Sequence, residues 1–341
     1  MKNFAALSWQ VDEPTYREDP ALSYSAVSKF SKEGFSGVPH LYDKVESPSL
    51  LFGSMVDTLL TKGTREFEDT YIACDFPEIS DTLTNIAKSL YELYKDAYRK
   101  FEDIPDELLA NAGLIHNYYV SSEKTRVSNI KKSCGAYYNT LIECGDKIIV
   151  NQQDYYDAIA CRDTLKVNNA TAQYFADNDP FDVETDIFYQ LKFKGEYEGI
   201  PIKCMLDVVK IDHVAKIIIP CDLKTTSSPE YEFHKSFLKW NYYIQAQMYW
   251  YILSETIKKD EFYKDYEVLP FRFIVINRKN LNPLVWVFED CIKVGGTLGN
   301  KDKIELKEWT TIAKELYYYL NNDCKVPLGI TNFNKISDFF K

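Results

Sequence analysis

"IIIPCDLKTTSS", residues 217–228, is the stretch on which the fold turns. An apolar run closes on Pro220 and Cys221, then Asp222 and Lys224 follow two positions apart, and small hydroxyl residues come next. Side chains alternate along a strand, so Asp222 and Lys224 share one face. A lead-in this apolar suits a central strand buried on both sides, whose polar end marks a site. Upstream, "VETDIFYQLKFKGEYEGIPIKCMLDVVKIDHVAK", residues 183–216, alternates with the same period. Three strands are expected, 183–194, 200–211 and 214–223, with turns near "KGEYEG" and "DHVAK". Short turns between neighbouring strands make an antiparallel meander.

Helical patterns lie on both sides. "LSYSAVSKF" opens a Ser-capped helix and "SLLFGSMVDTLLTKG" reads as another, with Leu51, Met55, Val56, Leu59 and Leu60 inward and Gly53 allowing a close approach. Residues 80–102 carry an amphipathic stripe of Leu83, Ile86, Ala87, Leu90, Tyr94, Ala97 and Phe101, capped by Ser80 or Asp81. Further helices are expected near 106–112, 151–166 and 169–177, then at 232–255 and about 303–323, with strands at "FRFIVIN" and "LVWVFED" between the last two. The expected fold is α+β (mixed α/β), with a central, mostly antiparallel or mixed sheet flanked by helices. No linker composition divides the chain. A single domain, 1–341, is therefore expected, with first core helices at 22–62, a helical insertion at 66–178, and the sheet with its helices at 183–325.

Composition narrows the function classes. Of 341 residues, 45% are hydrophobic, which supports a sizeable core rather than disorder. Lys and Arg total 40 against 51 acids, a net charge of −11, which argues against a polybasic nonspecific binder but leaves room for a local basic groove. No stretch reaches the roughly 20 apolar residues of a membrane span. The N-terminus, "MKNFAALSWQVDEPTYRED", turns acidic too soon for a secretion signal. The Cys residues at 74, 134, 144, 161, 204, 221, 291 and 324 show no CxxC spacing, so reduced thiols in a cytoplasmic setting are expected.

Asp207 ends "IKCMLD" on the strand beside Asp222. A meander brings both carboxylates to one edge, with Lys224 joining them. Two carboxylates and a nearby backbone carbonyl, that of Leu223, suit a hard cation such as Mg²⁺ or Mn²⁺. Such a site fits phosphodiester hydrolysis, with Lys224 orienting or deprotonating water and neutralising developing charge. The plain alternative is a solvated ion pair, worth little.

The order "LD", "DLKTT", "YYIQAQMY" resembles the PD-(D/E)XK nuclease superfamily, in particular its RecB- and RecE-like branch of phage-type recombination exonucleases. In that branch an Asp ends one strand, D/E-x-K ends the next, and a helix carries Q-x-x-x-Y. Here these are Asp207, Asp222 with Lys224, and Gln245 with Tyr249, with Tyr242 in a Y-x-x-Q arrangement. The N-terminal "YSAVSKF", the "FGSMVDTLL" helix and the "FRFIVINRKNLNPLVWVFED" strands match the same layout, so the resemblance spans about 22–325.

The resemblance implies a restriction-endonuclease-like core. It also implies a metal-dependent DNA exonuclease acting on double-stranded ends, with a single-strand-annealing or recombination partner and a homo-oligomer as further expectations. The compartment implied is cytoplasmic, that of a bacterial host if the chain is phage-encoded. Gln245 and Tyr249 are expected to touch a DNA phosphate or brace Lys224. The branch carries His in a G-x-x-x-H pattern where "GSMVD" here has Asp57. Asp57 is read as an oxygen ligand to the same metal, the alternative being a helix-face carboxylate that binds nothing. A fold of this kind that binds DNA or protein without cutting, or a structure-specific endonuclease, remains open.

Other features carry less. "GGTLGNK", 295–301, lacks phosphate-loop spacing, and His40, His116, His213 and His234 have no metal-ligand spacing. Glu184, on the strand before Asp207, could approach the metal, but is read as an exposed ion-pair residue. "SSEKTRVSNIKK", 121–132, could hold DNA phosphates or be a solvated helix surface.

Overall fold

Antiparallel pairing of Thr185–Tyr197 with Ile200–Asp212 begins the sheet on which the rest of the chain is built. The structure, a computed structural model, describes residues 3–43, 45, 47–120, 122–175, 184–299 and 303–322. In chain order the helices are α1 (Glu13–Glu18), α2 (Tyr24–Glu33), α3 (Pro48–Thr61), α4 (Gly63–Thr70), α5 (Asp81–Tyr94) and α6 (Asp106–Ile115). Then come α7 (Glu123–Cys144), α8 (Gln152–Val167), α9 (Ala172–Phe175), α10 (Phe233–Lys239), α11 (Tyr242–Lys258) and α12 (Trp309–Asn321). The strands are β1 (Tyr71–Ala73), β2 (Ile148–Val150), β3 (Thr185–Tyr197), β4 (Ile200–Asp212) and β5 (Ile217–Thr226). They continue with β6 (Glu267–Val268), β7 (Phe271–Asn277), β8 (Pro283–Phe288), β9 (Gly296–Leu298) and β10 (Ile304–Leu306).

The chain divides into two compact units, Met1–Gly53 with Cys161–Lys341, and Ser54–Ala160. In the first, the strand order is β3-β4-β5-β7-β8, with β6 also beside β5. The first three strands form the antiparallel meander, β7 joins β5 in parallel, and β8 returns antiparallel. The result is a mixed sheet flanked by helices, as the pattern of strands and helices implies. Helix α11 lies on one face and buries Ile244, Met248, Ile252 and Leu253 against Val209, Ile211, Ile218 and Phe273. The end of α1 is capped by Lys203 of β4, whose ammonium donates to the carbonyls of Tyr16 and Asp19, each at 2.6 Å.

One defect in the sheet places the site. On β4 the even positions Ile202, Cys204 and Leu206 enter the core, but beyond Asp207 the odd positions Val209 and Ile211 do. On β3 Leu191 and Phe193 enter it, while before Gln190 it is Phe188 that packs there. Gln190 has φ of 52°, a left-handed value rare for a side chain in a strand. No residue is inserted, because Tyr189 faces Val208 and Leu191 faces Leu206. The two strands therefore change face together at Gln190 and Asp207 while keeping register.

The second unit packs α5, α6 and α7 around Ile86, Leu90, Leu109, Ile130 and Tyr138. A Cβ on Gly113 would lie 2.6 Å from Cδ of Arg126, so glycine lets α6 approach α7. Ser122 caps α7 by accepting from Thr125 N–H at 3.1 Å.

Several boundaries differ from those expected. The stripe over 80–102 forms a helix only to Tyr94, followed by a turn and a 3₁₀ segment at Phe101–Asp103, because Phe101 packs its ring on Tyr138 from outside the helix. The expected strand 214–223 runs instead from Ile217 to Thr226, since β7 pairs along Cys221–Thr226 and carries the strand past Lys224. The helix expected at 232–255 is two, α10 and α11, broken at Asn241 with φ of 56°. Gly53 is not needed for clearance, as a Cβ there would meet Thr225 Oγ1 at an ordinary 3.5 Å. Residues 176–177 of the expected helix, residue 183 of the first expected strand, 300–301 of "GGTLGNK", Ser121, Cys324 and the end of the last expected helix lie outside the described residues.

Candidate active site

Asp207 and Asp222 face each other one step past the Val208–Cys221 pair that ends the β4–β5 ladder. Asp207 has the phase of Val209 and Ile211, so both carboxylates lie on the α11 side. Asp222 is only 2% exposed. Its Oδ1 accepts from Gln245 Nε2 at 2.5 Å, and its Oδ2 meets the Lys224 ammonium. Asp207 accepts through Oδ2 from the Leu223 N–H at 2.9 Å, and through Oδ1 from Gln190 Nε2 at 3.4 Å. The Lys224 ammonium also stands 4.7 Å from the centre of the Tyr242 ring. Burial alone would lower the Lys224 pKa, but Asp222, Tyr242 and Asp207 together outweigh it and raise it, holding the side chain as an ammonium. Burial pushes the Tyr249 phenol well above its ordinary value, with Asp222 and Asp207 adding to the rise.

The structure thus brings together Asp207, Asp222, Leu223, Lys224, Gln245 and Tyr249. Gln245 reaches Asp222 rather than Lys224, and Tyr249 is buried in the core, close enough to feel the charge of both carboxylates. Tyr243 and Met248 are buried, and Trp250 is half-buried. Asp57 is a half-buried residue of α3 in the other unit, and its carbonyl accepts from Thr61 Oγ1 at 2.9 Å.

The energetics of this cluster are informative. An ion pair taken out of water gains little or nothing over apolar packing, because desolvation cancels the attraction. The Asp222–Lys224 pair is therefore poorly explained as a stabilising device. Its position within β5, where the apolar half of the strand gives way to polar residues, fits a functional cluster. The donors suit a hard cation: Asp207 and Asp222 are carboxylate oxygen donors, and buried Gln245 Oε1 has no hydrogen-bond partner. Among the described residues of this unit, no three His, Cys, Asp or Glu side chains gather as a ready-made metal cage.

Residues outside the sequence motif complete the neighbourhood. Gln190 could have been found by working the β3–β4 register through to the position opposite Asp207. Tyr24 of α2 lies 6.4 Å from the Tyr242 ring and donates to the Trp240 carbonyl at 2.6 Å, a contact with no local signal. After Lys224 the chain is held by buried Glu230, which accepts from Asn277 at the end of β7 at 3.3 Å, and from Asn280 at 3.1 Å and Asn282 in the turn that leads to β8. The Asn282 contact and the others hold the Glu230 pKa down at about 2. Elsewhere, His213 bridges Asp186 at 2.9 Å and Tyr266 at 3.0 Å, tying the β4–β5 turn to its neighbours.

No family profile and no curated protein matches this chain. Among solved structures, a protein from Eubacterium rectale described as a "putative exonuclease" aligns over 97% of this chain and 98% of its own, at 12% identity and a TM-score of 0.44. At that level the likeness bears no weight for function.

Proposed function

We propose that this protein is a metal-dependent DNA exonuclease of the PD-(D/E)XK kind, hydrolysing phosphodiester bonds at double-stranded ends. The observation that carries the proposal is the Asp222 carboxylate, buried on a core strand between Lys224 and Gln245 with Asp207 opposite. Asp207, Asp222 and the Leu223 carbonyl would hold Mg²⁺ or Mn²⁺. Such a cation, when bound, supplies Lewis acidity to the scissile phosphate and the attacking water. Gln245 fixes the orientation of Asp222 through its amide. The Lys224 ammonium offsets negative charge as it builds on the phosphoryl oxygens. Tyr249 supports the two carboxylates.

The test is digestion of linear and closed circular duplex DNA. Linear DNA should be degraded with Mg²⁺ or Mn²⁺, EDTA should abolish the reaction, and Ca²⁺ should support little turnover because it is the poorer Lewis acid. Full cleavage in EDTA would refute the metal assignment, and equal cutting of closed circular DNA would indicate an endonuclease. The net charge of −11 favours a second reading, a nuclease fold that binds without cutting. Metal-dependent cleavage lost in Asp222→Asn would exclude it.

A further inference from the structure

Trp240 caps the C-terminal end of α10, followed by the left-handed Asn241, and the residue stands 45% exposed. Two ammonium groups lie over that one ring, Lys32 at 4.6 Å and Lys239 at 4.9 Å from its centre. Among the described residues neither lysine has an ion-pair partner. Burial lowers the Lys32 pKa, Glu33 opposes this, and the Lys239 charge adds to the lowering. Two unpaired cations crowded on an exposed tryptophan stand out in a chain of net charge −11.

The platform is joined to the candidate active site. The Trp240 carbonyl accepts from Tyr24 Oη at 2.6 Å and Ser28 Oγ at 3.1 Å. The Tyr24 ring neighbours that of Tyr242 at 6.4 Å, and the Tyr242 ring lies 4.7 Å from the Lys224 ammonium. Two tyrosines thus separate the exposed indole from Lys224.

We propose that Trp240, Lys32 and Lys239 form a subsite for an unpaired nucleotide of the DNA strand, its base on the indole and its flanking phosphates on the two ammonium groups. The proposal rests on the nuclease assignment of the Asp222–Lys224 site, whose substrate class it refines. Every base has a π face, so an aromatic platform beside cations grips a strand without reading its sequence. A base within a duplex is already stacked on both sides, so the platform selects a frayed or single-stranded residue. The stacked base displaces an ammonium from the ring, and the adjoining phosphate receives it.

The test is fluorescence anisotropy of fluorescein-labelled (dT)₁₅ with the full chain in EDTA, where cleavage does not interfere. Trp240→Ala should weaken binding about tenfold, the order expected for one lost base stack, while Trp240→Phe stays within about threefold of wild type. The Lys32→Ala/Lys239→Ala double variant should also weaken binding and flatten its salt dependence by about 1.4 in log–log slope, two contacts at ~0.7 each. Circular dichroism of each variant checks that the fold is kept. Wild type that fails to bind, Trp240→Ala that binds as wild type, or Trp240→Phe as weak as Trp240→Ala would overturn the subsite. An unchanged double-variant salt slope would do the same. Trp240-dependent binding without cleavage in Mn²⁺ would sink the nuclease assignment and leave the subsite standing; normal cleavage with Trp240-independent binding would do the reverse.

Discussion

The two units of this protein fill their interiors differently. In the sheet unit the buried residues include Lys203, Asp222, Glu230, Gln245, Gln247 and Asn277, each a polar group withdrawn from water. In the helical unit, among the described residues, the buried polar side chains are Thr58 and Arg126, and the core is Ile86, Leu90, Leu109, Ile130 and their neighbours. Withdrawing a polar group costs free energy unless it is fully partnered. One interior is therefore arranged to hold particular groups at particular places, and the other to exclude water.

That contrast can be broken by substitution. The largest effect is expected at Lys224→Ala, which should cut turnover by about 10²–10³, some 2.7–4 kcal/mol of barrier, with Mn²⁺ binding largely kept in calorimetry. An Ala variant that cleaves as wild type would remove the chemical meaning of the sheet interior. In the helical unit, Leu109→Ala should lower stability by about 2.5 kcal/mol through a cavity. Hydrogen exchange should register the loss in α6 and α7. Loss of equal size in β4 and β5 would erase the distinction between the two interiors.

Glu230→Gln comes next, at about 2 kcal/mol of stability near pH 7, because the asparagine amides lose a charged acceptor. The sign of its pH dependence follows from a folded pKa, about 2, that lies below the ordinary carboxylate range. The contribution is complete above about pH 4.5 and fades as the pH falls toward the folded value. Melting temperatures of wild type and variant should accordingly converge on acidification; a gap that widens instead would contradict the clamp. The smallest effect is Ser122→Ala, about 1 kcal/mol from a lost helix cap, measured by urea denaturation.

How far the sequence could be read depends on range. The Asp222–Lys224 strand was legible because a period of two is local, and Asp207 followed from the meander. Gln245 and its helix were legible through a resemblance in motif order. Trp240 and Asn241 were not, because the apolar pattern runs on across them and one left-handed residue leaves no periodic trace. Glu230 needed partners some fifty residues away, from 277 to 282, and Tyr24 needed α2 beside α11. Contacts of that separation have no signature in a single chain's spacing. The role of Asp57 was drawn from the resemblance alone, and metal titration of Asp57→Asn addresses it directly.

The paired change of face at Gln190 and Asp207 has a bearing on how this sheet tolerates alteration. Each of the two strands is written in two reading frames, and the frames meet at one level. Removing Asp207 would merge the two frames of β4 into one, and would put its pairing with β3 out of register by one residue. A Gln190→Gly replacement would instead ease the left-handed backbone, whose strain is on the order of 1–3 kcal/mol, and give up the amide that touches Asp207. The sheet has accepted a strained residue where an unstrained one was available, and in return a carboxylate stands at the seam.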